Sequence, residues 1–272
     1  MPTLGIFAKR PIAGAVKTRL AATIGDEAAA RFYEVSLRTL LTRVRDLALR
    51  RVIAVAQTVD YCSTTERIGV TREGEAPAEP QRPDSVVPGS RLGRSLALPT
   101  FSDQLSQLWF QQFEGFDLWP QPSGDLGQKL SAWFDFACAT DDRVLVIGSD
   151  SPALPLEFIE QAVQELDTSD CIIGPALDGG YYLLGLKCPH PRLFEGIDWS
   201  SPQVLEQTRA RAAELRLRVA ELPPWNDVDE FADLAVLQSQ LQRIGPAAVW
   251  EPLRDELNRL LPDTGGQPLS DG

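Results

Sequence analysis

Short, almost wholly apolar runs alternate along this chain with longer stretches of helical periodicity. TLGIFA (residues 3–8), VIAVA (52–56), FDLWP, RVLVIGSD, CIIGPA, YYLLGL and LRVAEL read as strands. Residues 27–49, with Phe32, Val35, Leu40, Val44 and Leu47 at helical spacing, read as a long helix. FSDQLSQLWF, DLGQKLSAWFDFACA, PLEFIEQAVQEL and EFADLAVLQSQL read as further helices, and PQVLEQTRARAAEL as one capped by Ser201 with Pro202 at its first position. Strands that are apolar on both faces belong in a mainly parallel sheet covered by helices on each side. The expected fold is therefore α/β, a three-layer arrangement around a mainly parallel mixed sheet. Ligands in such sheets sit beyond the carboxyl ends of the strands, so the loops there are where chemistry is sought.

The chain has 272 residues, enough for one large domain. One stretch breaks the alternation. Residues 63–100 include EGEAPAEPQRPDSVVPGSRLG, rich in Pro, Gly, Glu and Arg and poor in apolar residues. That composition cannot bury enough surface to offset ordering entropy, so it reads as a mobile insertion within a domain of residues 1–260. Residues 261–272 are expected to fray. A net charge of −12 argues against nucleic acid or an anionic membrane as the main partner. No run approaches the ~20 apolar residues of a membrane span, and no secretion signal is visible at the start. The four cysteines form no C-x-x-C pair, which fits a reducing cytoplasm better than a zinc site or a disulfide framework. His190 is the sole histidine and lies between two prolines, so Ser–His–Asp and Cys–His mechanisms are disfavoured.

Against this acidity the loop after the first strand, KRPIAGAVKTRL, holds Lys9, Arg10, Lys17 and Arg19 and no acid. It is neither a P-loop, because Val16 precedes Lys17, nor a dinucleotide fingerprint, because only Gly14 is present. A glycine, several cations and a nearby helix start can still hold a pyrophosphate. The chemistry concentrates on Gly14, Lys17 and Arg19. Ala8 and Lys9 border the same nucleotide-binding surface, although Lys9 and Arg10 read more readily as solvated.

Four later segments complete the set. Asp150 ends an apolar strand in GSDSPALP, where a carboxylate can hold Mg²⁺ or Mn²⁺ or can cap the next turn. Asp178, Gly179 and Gly180 precede Tyr181 and Tyr182; paired glycines let a backbone approach a ligand, and either tyrosine can stack or hydrogen-bond. The same pattern also suits a glycine-permitted hairpin. In WNDVDEF, Asp227 and Asp229 alternate, so one can turn into a site while the other faces away, and Asp229 can instead cap a helix. Gly124, Asp125 and Gly127 can read a nucleobase edge or simply start a helix.

AKRPIAGAVKTRLA, GDLGQKL, GSDSPALP, GPALDGGYYLLGL, FEGIDWSSPQV and DVDEFADL occur in an order that resembles a bacterial family of the GT-A, nucleotide-diphospho-sugar transferase-like fold. Its members are labelled glycosyltransferases of the arsenosugar-biosynthesis type. The pattern is also similar to the phospholactate and molybdenum-cofactor guanylyltransferases. The resemblance spans about residues 3–236, skipping the Pro-rich stretch. It implies that Gly14, Lys17 and Arg19 form a phosphate loop, that Asp150 binds metal, and that Asp178, Gly179 and Gly180 line the acceptor side with Tyr181. It implies that Asp229 is a second metal acid with Asp227 as its neighbour. Two motifs depart from the family: Gln128-Lys129 stands where it has Glu-Arg, and Glu230-Phe231 where it has Thr-Pro.

The expected activity is a Mg²⁺- or Mn²⁺-dependent transferase using a nucleotide and a small-molecule acceptor. Glycosyl transfer from a nucleotide-sugar is the first reading. Nucleotidyl transfer from an NTP to a phosphorylated acceptor is the alternative, and a non-catalytic nucleotide-binding module is the third. In either reaction Lys17, Arg19 and Asp178 are the expected catalytic residues.

Overall fold

Strand β1 (Thr3–Ala8) lies third in a seven-stranded sheet ordered β3-β2-β1-β4-β6-β5-β7. The other strands are β2 (Arg50–Val55), β3 (Asp117–Pro120), β4 (Val144–Gly148), β5 (Cys171–Pro175), β6 (Tyr181–Leu186) and β7 (Val219–Glu221). The computed structural model describes residues 1–57 and 103–261. The expected insertion at 63–100 lies outside these residues, as does nearly all of the expected tail.

Every neighbouring pair is parallel except the two made by β6, which runs antiparallel to both β4 and β5. Six strands therefore end on one rim, and β6 starts there. From β1 the chain moves outward through β2 and β3 and then returns to β4 on β1's other side. That reversal is the switch point at which loops diverge and leave a crevice.

The helices are α1 (Thr18–Ile24), α2 (Asp26–Val44), α3 (Gln104–Gln111), α4 (Leu126–Ala137), α5 (Leu156–Glu165), α6 (Val204–Glu214), α7 (Phe231–Ile244) and α8 (Glu251–Leu260). Alternation along β1 sends Leu4, Ile6 and Ala8 to one face, where they pack with Leu37, Leu40 and Leu41 of α2 and Ile159 of α5. The opposite face of the sheet carries Val52, Val146 and Ile173 against Leu130, Trp133 and Phe134 of α4 and Ala212 of α6. A third cluster joins Leu20, Phe32, Leu234, Leu237, Trp250 and Leu253, so α7 and α8 pack on the outer side of α1 and α2. The three-layer mixed α/β fold is as expected.

Several boundaries differ from the sequence reading. The long helix ends at Val44 rather than 49, and Leu47 and Leu49 are buried in the turn that follows. Strand β2 starts two residues early because its leading cations have partners: the Arg50 Nε donates to Asp117 at 2.9 Å, and Arg51 to the Leu47 carbonyl at 2.9 Å. Helix α6 starts at Val204, not Pro202. The Ser201 hydroxyl instead donates to the Asp198 carbonyl at 2.7 Å, closing a turn before the helix. Helix α8 was not expected at all; its apolar stripe is only Leu253, Leu257 and Leu260. Among the described residues no helix is long and apolar enough to cross a membrane.

Candidate active site at the β1–β4 switch point

Lys17 does not project into solvent. Its backbone adopts the left-handed conformation (φ 48°, ψ 45°) as the residue preceding α1, a conformation that costs a non-glycine residue about 1 kcal/mol. This turns the side chain inward, leaving it 3% exposed between Asp150 and Asp229. The ammonium donates to the Val228 carbonyl at 2.6 Å and lies 3.2 Å from Asp229 Oδ1, and it pairs with Asp150 Oδ1. Burial pulls the lysine's pKa down, but the two carboxylate charges and their hydrogen bonds outweigh it and hold the group above its usual value. Arg19, largely exposed, reaches the other oxygen of Asp229 at 4.0 Å.

The acids come from separate loops that the backbone ties together. Asp150 follows β4, and its carbonyl accepts from the Val228 N–H at 3.1 Å. Helix α7 is capped by Glu230, reciprocally with Asp233, so the capping role open to Asp229 is filled by its neighbour. Asp150 and Asp229 each keep nearly half of their side chain exposed, at 45% and 47%. Asp227 does not join them. Its carboxylate accepts from the Ser151 hydroxyl at 2.6 Å. Burial, then the nearby charges of Asp150 and Asp178, push its pKa up to about 6 against the opposing pull of Ser151 and Lys17. Of the three acids expected to hold a metal, Asp150 and Asp229 converge on one point, and Asp227 turns to Ser151. Among the described residues no group of three or more His, Cys, Asp and Glu side chains is gathered as a metal cage.

Gly14 has φ +77° in the basic loop. The Asp178 carboxylate accepts from the Gly180 N–H at 2.9 Å, folding the turn before β6 back on itself. Gly179 is held at φ +92°, and a Cβ there would lie 2.1 Å from the Pro202 carbonyl oxygen, so only glycine fits. The Gly179 carbonyl accepts from the Leu205 N–H at 2.8 Å, anchoring this turn to the start of α6. Tyr181, expected on the acceptor side, is partly buried. Its ring packs beneath the sheet in the core shared with α4 and α6, and its hydroxyl is buried near Thr208. Tyr182 faces the opposite core, with its hydroxyl donating to the Pro223 carbonyl at 2.9 Å. Alternation along β6 sends the two rings to opposite faces of the sheet.

Asp125 caps α4 in a reciprocal box with Gln128, with bonds of 2.8 Å and 3.1 Å. The substituted glutamine therefore keeps the cap that a glutamate would make. Gly127 is buried against the Trp199 indole, 2.7 Å from where a Cβ would sit. His190 lies beyond the end of β6, on the opposite rim from these residues, with Nε2 3.3 Å from the Cys188 sulfur.

Two residues that bind the site's frame escaped the sequence reading. Tyr33 of α2 accepts from the Lys9 N–H at 3.0 Å and shares a hydrogen bond of 2.8 Å with the Ser149 hydroxyl, joining the ends of β1 and β4. Arg43 donates to the carbonyls of Pro152 at 2.7 Å and Leu154 at 2.8 Å, and its guanidinium lies 4.4 Å from the centre of the Trp250 ring. Both sit inside a helix whose periodicity masks them, and a buried tyrosine looks like any other core residue.

A family model described as an uncharacterized protein conserved in bacteria (DUF2064) matches residues 90–201, a range holding Asp150 and Asp178 but neither Lys17 nor Asp229. The crystal structure of a candidate nucleotide-diphospho-sugar transferase from Desulfovibrio desulfuricans G20 is 27% identical, with TM-score 0.70 over 96% of this chain and 99% of that one. The inositol-1-phosphate CTP transferase of T. maritima matches at 11% identity and TM-score 0.44, over 94% of this chain and 96% of that one. The bifunctional IspDF of Campylobacter jejuni matches at 8% identity and TM-score 0.48, over 86% and 54%. No curated protein sequence matches the chain. The fold is that of the nucleotide-diphospho-sugar transferases.

Proposed function

We propose that residues 1–260 form one nucleotide-dependent transferase domain, and that its donor is a nucleotide-sugar from which it transfers the glycosyl group to a small acceptor. The observation that carries this reading is the convergence of Asp150 and Asp229 on a single point beside an acid-free loop, at the β1–β4 switch point. The 27% identical neighbour of similar length, described as a candidate nucleotide-diphospho-sugar transferase, supports it.

The donor set fits a hard divalent ion. Two carboxylates and the Val228 carbonyl oxygen face one cationic atom, and Mg²⁺ or Mn²⁺ is held by one or two carboxylates plus substrate phosphates rather than by an all-protein cage. Asp150 and Asp229 would hold it, and when bound it supplies charge neutralisation for the diphosphate leaving group. The chain's own residues do the rest. The basic loop receives the phosphates, while Lys17 and Arg19 keep the acids aligned and offset developing negative charge. Gly124, Asp125 and Gly127 border the nucleoside. The rigid turn at Asp178, Gly179 and Gly180 lines the acceptor side. Tyr181 follows that turn, with its ring packed partly into the core.

A second reading, nucleotidyl transfer of the guanylyltransferase kind, is favoured by the number of cations beside β1, which suits a triphosphate. The protein, mixed with Mn²⁺ and panels of nucleotide-sugars and NTPs, is expected to melt higher with a nucleotide-sugar and to release its nucleoside diphosphate when the acceptor is present. Pyrophosphate release from an NTP, with no turnover of any nucleotide-sugar, establishes the second reading instead. Binding with no turnover on any acceptor leaves a nucleotide-binding module.

A further inference from the structure

The rim opposite the switch point carries two thiols and the chain's sole histidine. Strand β6 runs antiparallel to β4 and ends there, with Leu186 paired to Val144, the first residue of β4. Helix α4 ends on the same rim at Ala137, just before β4 begins. Cys138 closes that helix, its N–H donating to the Phe134 carbonyl at 3.0 Å. From β6 the chain passes through Cys188, Pro189 and His190 into a 3₁₀ turn, Pro191–Phe194. That turn packs on α4, where Phe194 stacks on Phe134 with ring centres 6.0 Å apart and an interplanar angle of 10°. The segment bearing Cys188 is thereby laid across the end of α4. The electrostatics agree. Burial pushes the Cys138 thiol up to about 12, and the charge of Cys188 adds to the rise ahead of Asp135 and Asp141, which flank Cys138 in sequence.

The two thiols differ in access. Cys188 is exposed, and its Sγ lies 3.3 Å from His190 Nε2, within reach of proton transfer. Cys138 is half-buried. The His190 carbonyl accepts from the Leu193 N–H at 2.9 Å, which fixes the segment. An imidazole beside a thiol favours the thiolate, the nucleophilic form. Cys171 lies buried in β5 among apolar side chains, and Cys62 lies outside the described residues. We propose that Cys188, His190 and Cys138 form a dithiol site that exchanges with low-molecular-weight disulfides. The Cys188 thiol passes its proton to His190, and the thiolate attacks one sulfur of the small disulfide. The small molecule's S–S bond breaks, its departing thiolate takes the proton from His190, and a mixed disulfide remains on Cys188. The Cys138 sulfur then attacks the Cys188 sulfur, its proton going to the second departing thiolate, and a Cys138–Cys188 bond forms. Two protein thiols are oxidised and one small disulfide is reduced to two thiols. An exposed attacking thiol with a less accessible resolving one is the division of labour this exchange requires. The site stands at the other end of the sheet from the proposed nucleotide rim and does not depend on the transferase reading.

The test is intact-mass and peptide mass spectrometry of the full chain carrying Cys62→Ser, incubated with oxidised glutathione. That protein is expected to lose two hydrogen atoms and to yield a peptide pair linked through Cys138 and Cys188. Adding Cys138→Ala is expected to stop the reaction at one glutathione on Cys188, and adding Cys188→Ser to leave Cys138 unmodified. In the Cys138→Ala background, His190→Gln is expected to form the adduct about tenfold more slowly, because a free thiol is already a few per cent ionised at neutral pH and the imidazole raises only that fraction. Circular-dichroism melting of each variant verifies the fold. No Cys138–Cys188 bond in the Cys62→Ser protein, an unaltered rate in His190→Gln, or modification of Cys138 that survives Cys188→Ser overturns the proposal.

Discussion

The Lys17 ammonium donates to the Val228 carbonyl at 2.6 Å, across 211 positions of sequence, and so joins the loop after β1 to the segment before α7. The same ammonium balances Asp150 and Asp229. One atom thus assembles a site whose parts come from three loops.

Lys17→Met removes that charge while keeping most of the stem. Two half-exposed carboxylates then face each other without the ammonium between them, with only the exposed Arg19 beside Asp229, a cost of about 1–3 kcal/mol once solvent screening is allowed for. The melting temperature is expected to fall. If the pair is a divalent-ion site, millimolar Mn²⁺ restores more stability to the variant than it adds to the parent, because the ion no longer competes with an ammonium. Equal response of the two proteins to Mn²⁺, read by differential scanning calorimetry, would count against a metal at Asp150 and Asp229.

Asp227 makes stability depend on pH. Its carboxyl titrates at 3.8 in an ordinary setting and at about 6 in the fold, so the native state holds a proton that the unfolded chain has released. Below about pH 4 both states are protonated and the group costs nothing. Between pH 4 and 6 stability falls as pH rises, and above 6 the whole penalty, at most about 3 kcal/mol, is present. Asp227→Asn keeps an acceptor for the Ser151 hydroxyl without the charge. In EDTA, urea unfolding is expected to show the variant equal to the parent near pH 3.5 and more stable at pH 8. A difference that does not vary with pH would remove the buried carboxylate from this account.

How much of this was legible beforehand follows from where each signal resides. Strand β1 matches its expected bounds because a strand buried on both faces is a plain apolar run flanked by charge. Asp150 and Asp229 were legible because a polar residue ending such a run, or alternating after one, stands out. The inward turn of Lys17 was not, since it depends on a left-handed backbone and on partners far along the chain. Lys9 read as solvated because Lys129, the charge beside it, comes from another element, and only the crossover through α4 brings the two close. Tyr181 read as a rim residue because the parity of a strand is invisible until its register is known; pairing of Pro175 with Tyr181 across a bulge sets it.

Gly179→Ala tests the rigidity of the acceptor-side turn. The substitution imposes an L side chain at φ +92° and drives its Cβ into the Pro202 carbonyl. Backbone strain alone costs about 1 kcal/mol, and the clash adds to it. The expected result is a loss of at least 2 kcal/mol, on the order of a disruptive core change, with faster amide exchange at Leu205, whose N–H bonds to Gly179. Exchange at Leu205 as slow as in the parent would show that the turn adapts without moving α6.

Tyr33→Phe removes a single oxygen that serves both sides of the switch point. The Lys9 N–H and the Ser149 hydroxyl lose their shared partner in a buried setting, at a cost of about 1–3 kcal/mol. The ring itself, 3% exposed in the core, is preserved, so packing is not the variable. The functional effect is expected to exceed the stability effect, because Lys9 lies in the basic loop proposed to receive the phosphates and Ser149 precedes Asp150. Tripolyphosphate affinity and Mn²⁺ affinity should both weaken in one variant that touches neither ligand, whereas a core tyrosine of no positional importance would lower the melting temperature and leave both affinities at the parent's values.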